Sequence, residues 1–239
     1  MNEPYLPAAV WTYPDAMALF FGGLLGSVFA LSIGIAANGG EELSNVMLLA
    51  VSSVGSAAVT FGLLGYLSRR RGTGSWDLDF GLRFEPRDAL GLLYGMGLQI
   101  AVIVVVQFPL IELLNLEDPP EQDVAQIAGE ASSLGTRALI VLVVVVLAPL
   151  TEELLYRGVL LSRVRRDYSR HAAVAISAAV FAGIHLIDPD AILAIPGLFV
   201  IGVALGYQAL HTQRLGLAVS THAGVNLLAA IAILAGIDV

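Results

Sequence analysis

Seven long apolar stretches separated by short polar connectors set the pattern of this chain, at approximately residues 16–38, 43–68, 88–114, 137–166, 171–188, 190–211 and 214–237. Most approach the roughly 20 residues an α-helix needs to cross a hydrocarbon core. The pattern predicts an all-α, polytopic transmembrane helix bundle of about seven spans, with residues 1–239 forming a single transmembrane domain. The first stretch is too long for a signal-peptide core and no basic segment precedes it, so it reads as a retained span. Residues 115–136, with Pro119 and Pro120 among acidic and small side chains, read as a loop or short surface helix. Residues 69–88 read as a connector at the opposite end of the bundle.

Composition agrees, with 57% hydrophobic and 13% charged residues and a mean hydropathy of +0.81. Membrane lipid is therefore the main solvent and partner. All 12 basic residues are arginine, and their placement carries more information than the net charge of −8. Arg69, Arg70, Arg71, Arg83 and Arg87 lie between the second and third stretches, Arg163, Arg165, Arg166 and Arg170 between the fourth and fifth, and Arg214 between the sixth and seventh. The alternate connectors hold Glu41 and Glu42, then Glu117, Asp118, Glu121, Asp123 and Glu130, then Asp188 and Asp190, with Arg137 as their one basic member. The positive-inside rule then puts the arginine-rich connectors in the cytoplasm, and both termini are expected outside. Cysteine is absent, which removes disulfides, a thiolate nucleophile and a cysteine-ligated metal.

Three polar groups interrupt the apolar stretches: Glu152, Glu153 and Arg157 in TEELLYRG, Phe181 and His185 in FAGIH, and His222 and Asn226 in HAGVN. Ionisable side chains inside a bilayer are costly and read as a functional site. Counted up from the arginines at about 1.5 Å per residue, all three groups reach similar depth. Glu153/Arg157, Phe181/His185 and His222/Asn226 are i,i+4 pairs, so each pair shares a helix face. Glu153 with Arg157 predicts an ion pair within one helix, which leaves Glu152 free to act as a general base. Phe181 is expected to shape the wall of the site, and Pro149 to kink the fourth helix. Helices four, five and seven should enclose a water-accessible cavity open toward the cytoplasm. Alone, a buried histidine is more often a satisfied structural group, and His222 with Asn226 could be polar glue between helices. His171 and His211 sit near helix ends and are assigned no chemistry. Small-residue spacings at Gly22/Gly26, Gly91/Gly95 and Gly202/Gly206 predict close helix packing within the bundle. There is no HExxH motif, no rhomboid-type GxSG, no P-loop and no dinucleotide fingerprint, and no nucleic-acid partner is expected.

EExxxR, then FxxxH, then HxxxN, in this order, resembles the CPBP family of intramembrane endopeptidases, also called the Abi family, which includes the type II CAAX prenyl proteases. The resemblance covers roughly residues 137–230, with FGLRFEPRDALGLLYGMGLQ similar to the region ahead of the family's core. It implies hydrolysis of a peptide bond in a membrane-associated protein or peptide. Glu152 with His185 would activate the attacking water, His222 and Asn226 would stabilise the oxyanion, and Glu153 with Arg157 would form the family's structural pair. Glu152, His185 and His222 could instead hold a catalytic zinc with water in the fourth position. The metal-free route is preferred, because HxxxN makes better sense as a pair of donors than as a ligand plus a spectator. The rival readings are a noncatalytic membrane scaffold and a proton-coupled transporter using the same buried carboxylates.

Overall fold

Lipid offers no hydrogen bonds to a peptide backbone, so an apolar stretch must satisfy its own N–H and C=O groups as a helix. A computed structural model, which describes residues 10–116, 123–129 and 131–235, has seven helices long and apolar enough to cross a membrane among those residues. They are α1 (Tyr13–Ala37), α2 (Asn45–Arg71), α3 (Pro86–Leu114), α4 (Leu134–Asp167), α5 (Arg170–Ile187), α6 (Pro189–Thr212) and α7 (Gly216–Ile233). The chain is a multi-pass membrane protein of all-α class. Short helices Trp76–Phe80 and Asp123–Gly129 lie in the two connectors. The expected loop residues Glu117, Asp118, Pro119, Pro120, Glu121 and Glu130 lie outside the described residues, as do positions 236 and 237 of the last expected helix.

Helix ends differ from the hydropathy pattern by a few residues, because polar caps set them. Thr12 and Asp15 form a capping box that starts α1 ahead of its apolar run, and Ser133 with Thr136 does the same for α4. Ser44 caps α2 and Ser169 caps α5. At its other end α2 continues through Arg69, Arg70 and Arg71, where positive charge complements the helix dipole.

Wide π turns interrupt α3 at Ile103–Gln107 and α4 at Leu142–Leu147 and Leu154–Leu161. The first two lie just ahead of Pro109 and Pro149, whose rings and missing N–H groups do not fit a regular ladder. The distortion expected at Pro149 thus takes the form of a widened turn.

The spans pack chiefly as α1 with α2, α3 with α7 and α5 with α6, while α4 touches α1, α2, α5 and α7. Each expected glycine pair sits in one of these close contacts. Gly26 meets Gly55 of α2, Gly91 and Gly95 meet the α7 backbone from Leu217 to Val225, and Gly202 and Gly206 meet Ala178 and Val174 of α5. The arginine end of the bundle is closed by the 72–88 connector. Trp11 stacks on Phe80 with ring centroids 4.9 Å apart, in a cluster with Leu64, Leu154, Val159 and Leu215. The start of α1 therefore lies at the arginine end and not, as expected, on the same side as the end of α7, because seven spans leave their two ends on opposite faces. Burial works against the Asp79 carboxylate, but hydrogen bonds from Ser68, Thr73 and Gly74 outweigh it and hold its pKa below the ordinary aspartate value. The connector also anchors α7. Leu215 N donates to Gly81 O at 2.8 Å and Gly216 N to Arg83 O at 3.2 Å, while buried Arg214 pairs with buried Asp88 at 2.6 Å.

A Cβ on Gly95 would overlap the Thr221 carbonyl oxygen and the Val225 nitrogen, whereas one on Gly97 would meet nothing within 4 Å. Gly95→Ala is therefore expected to cost at least the roughly 1–3 kcal/mol of an overpacked core, and Gly97→Ala to be near neutral. Thermal melting of the two variants in detergent, side by side, checks this.

Candidate functional site

The π segment Leu154–Leu161 begins directly after Glu153 and carries Arg157 into the middle of the bundle. Both side chains are fully buried, with Arg157 Nη1 donating to Glu153 Oε1 at 2.7 Å. Isolated charges there would be prohibitively expensive, so their other contacts decide whether the pair is tolerable. Arg157 Nη2 donates to Gly202 O on α6 at 3.1 Å. Its guanidinium carbon lies 4.6 Å from the centre of the Phe181 ring on α5. On the other side, Glu153 Oε1 accepts from His222 Nδ1 on α7 at 3.0 Å. The expected ion pair within one helix is present, and it extends to α5, α6 and α7.

These contacts assign protons. Glu153, paired with Arg157, accepts, so His222 Nδ1 carries hydrogen and Nε2 is the atom left for chemistry. Nε2 lies 3.8 Å from Glu152 Oε2. His185 Nδ1 lies 2.9 Å from Phe181 O, and a carbonyl can only accept, so Nδ1 is again the donor. In neutral His185 the Nε2 lone pair is therefore free. Phe181 is fully buried and packs edge-on against three rings, Tyr156 at 5.4 Å, His185 at 5.2 Å and His222 at 5.6 Å.

Asn226 is placed by the proline of α4. Ala148 N bonds five residues back to Val143 O, and the next residue, Pro149, has no N–H to offer Val144 O. Asn226 Nδ2 donates to that Val144 oxygen at 2.8 Å. One amide N–H is thus used to bridge α7 to α4, and the second N–H and the side-chain oxygen remain.

Glu152, Phe181, His185, His222 and Asn226 all line one cavity of about 340 Å³. Its walls come from more elements than expected, since α2, α3 and α6 also contribute, through Ser53, Gln99, Gln107 and Gly197 among others. Gln99 and Gln107 were legible in the sequence as polar residues inside an apolar span, but uncharged side chains carry a weaker signal than ionisable ones. The cavity also lies at the other end from the one expected. Its lining runs from mid-span Glu152 and His222 to Leu49, Ala194 and Ile233, near the acidic connectors. The arginine end is filled by the Trp11–Phe80 cluster, so the opening toward the arginine side is not there.

The three residues weighed as zinc ligands are not gathered as a ligand set. Zinc donors at about 2 Å from the metal lie roughly 3.3 Å from one another. Among the described residues the histidine, aspartate and glutamate atoms that converge within 4.8 Å are those of Asp123, Asp188 and Asp190, which are largely exposed and do not line the cavity.

Fold and site together define a polytopic membrane protein with a carboxylate, two imidazoles and an amide gathered on a cavity inside its helix bundle. Residues 134–228 match the family model described as Type II CAAX prenyl endopeptidase Rce1-like. The match covers α4 to most of α7, the stretch that carries every motif above, and this segment is similar to the CPBP, CAAX protease-like family. No curated protein and no solved structure matches the chain.

Removing the cation at the centre of the site should be expensive. Arg157→Ala strands Glu153 at zero exposure, with an expected loss of about 3–5 kcal/mol. The measurement is folded yield from membranes and the thermal midpoint in detergent; an unchanged midpoint would show that the pair does not hold the bundle.

Proposed function

We propose that the protein is an intramembrane endopeptidase that hydrolyses a peptide bond of a membrane-associated protein or peptide with water activated by Glu152. The observation that carries this reading is the convergence of Glu152, His185, His222 and Asn226 on one cavity within the family-matched segment. The Glu152 carboxylate takes a proton from water while His185 Nε2 accepts the other hydrogen, and the water oxygen bonds to the scissile carbonyl carbon. The carbonyl oxygen becomes an oxyanion. Asn226 donates to it through its remaining N–H. His222 donates through Nε2, which requires both ring nitrogens to carry protons, with Glu153 holding the Nδ1 proton. Collapse of the tetrahedral intermediate breaks the C–N bond, and Glu152 returns the proton to the leaving amine. No acyl-enzyme and no metal enters this sequence.

With the arginine connectors in the cytoplasm, as the positive-inside rule has it, the cavity opens toward the outside and takes substrate segments exposed there. The absence of cysteine from the chain makes this testable with single introduced cysteines. A membrane-impermeant maleimide on intact cells should label Glu42→Cys and spare Arg69→Cys; the reverse result would invert the orientation.

The activity is tested by incubating wild type and Glu152→Gln with a peptide library in detergent, with and without a zinc chelator, and identifying products by mass spectrometry. Products should come from wild type alone and persist with chelator, while Glu152→Gln melts like wild type and loses turnover by at least about 100-fold. Loss of products with chelator would establish a metal route. Absence of products together with pH-dependent flux in liposomes would favour a transporter.

A further inference from the structure

Three polar side chains on the cavity wall take no part in the steps above: Ser53 on α2, and Gln99 and Gln107 on α3. A polar group inside a lipid-embedded helix is tolerated when it bonds across to a neighbour, as Asn226 does with Val144 O. These three do not. Each is half-buried, and no side-chain hydrogen bond of theirs occurs among the described residues.

The backbone of α3 presents the two amides together. In a regular helix, residues eight apart sit about 80° out of line. The π turn Ile103–Gln107 absorbs one residue, which brings Gln99 and Gln107 to within roughly 20° of one face. Their separation along the axis is then about 11 Å, and an extended chain advancing about 3.3 Å per residue covers that in three to four residues. Gly197 of α6 makes room for Val102, one turn from Gln99 on α3, since a Cβ there would come to 2.6 Å from Val102 Cγ1, with Gln107 Nε2 next at 4.0 Å.

We propose that Gln99 and Gln107, supported by Ser53, hold the substrate as an extended strand by hydrogen-bonding its backbone. A primary amide presents a donor and an acceptor side by side, the complement of a peptide unit. A peptide unwound inside a membrane has lost both helix and water, and must find such partners in the cavity wall. Recognition of this kind tolerates many side chains, because it reads the main chain. The peptide nature of the occupant rests on the endopeptidase reading.

The test separates the two ideas. A pool of dansyl-labelled nonapeptides of random apolar sequence is titrated onto purified protein in detergent, with binding read from dansyl emission and cleavage from mass spectrometry. The Gln99→Leu/Gln107→Leu double variant should melt like wild type, bind the pool about tenfold more weakly and raise KM to match, with kcat changed less than about twofold. A pool methylated on every peptide nitrogen should bind wild type no better than the double variant binds the parent pool; this arm needs no altered protein. Equal affinity of wild type and double variant, or indifference of wild type to methylation, overturns the inference. Glutamine-dependent binding with no cleavage supports the backbone-reading wall and overturns the endopeptidase reading instead.

Discussion

The Glu153–Arg157 pair is the constraint around which the family-matched segment is arranged. Two full charges at zero exposure cannot be stabilised by one another alone, because each has more hydrogen-bonding capacity than the other can use. Part of the surplus is distributed outward, to the Gly202 carbonyl on α6, the face of Phe181 on α5 and Nδ1 of His222 on α7, while Glu153 Oε2 and Arg157 Nε have no hydrogen-bond partner among the described residues. Four helices are thereby held at one height. Close approach of α5 and α6 at Gly202 brings that carbonyl into a densely packed neighbourhood. The same contacts orient His222, so the device that makes the charges tolerable also points Nε2 at Glu152.

Proline has a comparable organising effect on the cavity. Pro109 and Pro149 each follow a widened turn, and in lipid the carbonyls such turns release must find donors. Asn226 meets one of them at Val144, which ties the second half of the HxxxN motif to the backbone of the helix bearing Glu152. Irregular backbone here is confined to helices that line the cavity, where interior polar groups can reach it.

The two ends of the bundle are built differently. At the arginine end, aromatic stacking, the buried Asp79 carboxylate and the Arg214–Asp88 pair seal the helices and fix the start of α7. At the acidic end the interior is hollow, with α5 ending shortly after His185 in a 3-10 turn. A sealed end and a hollow end give the site one direction of access, whichever way the protein sits in its membrane.

Much was determined by the sequence alone. Seven apolar runs can satisfy their backbones in lipid only as helices, so span number and approximate bounds followed from hydropathy, and the glycine pairs marked the close contacts. The i,i+4 spacing of Glu153 and Arg157 sufficed to predict their pairing, because helix geometry is local. Tertiary structure decided the rest. That His222 joins Glu153, that Asn226 answers a carbonyl orphaned by Pro149, and that Gln99 and Gln107 share a face through a wide turn all depend on how separate helices meet. The direction of the cavity depended on the packing of side chains such as Trp11 and Phe80, far apart in the chain, and no local period encodes that. Spacing within one helix is fixed by covalent geometry, whereas depth and facing between helices are set by packing, which only the folded bundle resolves.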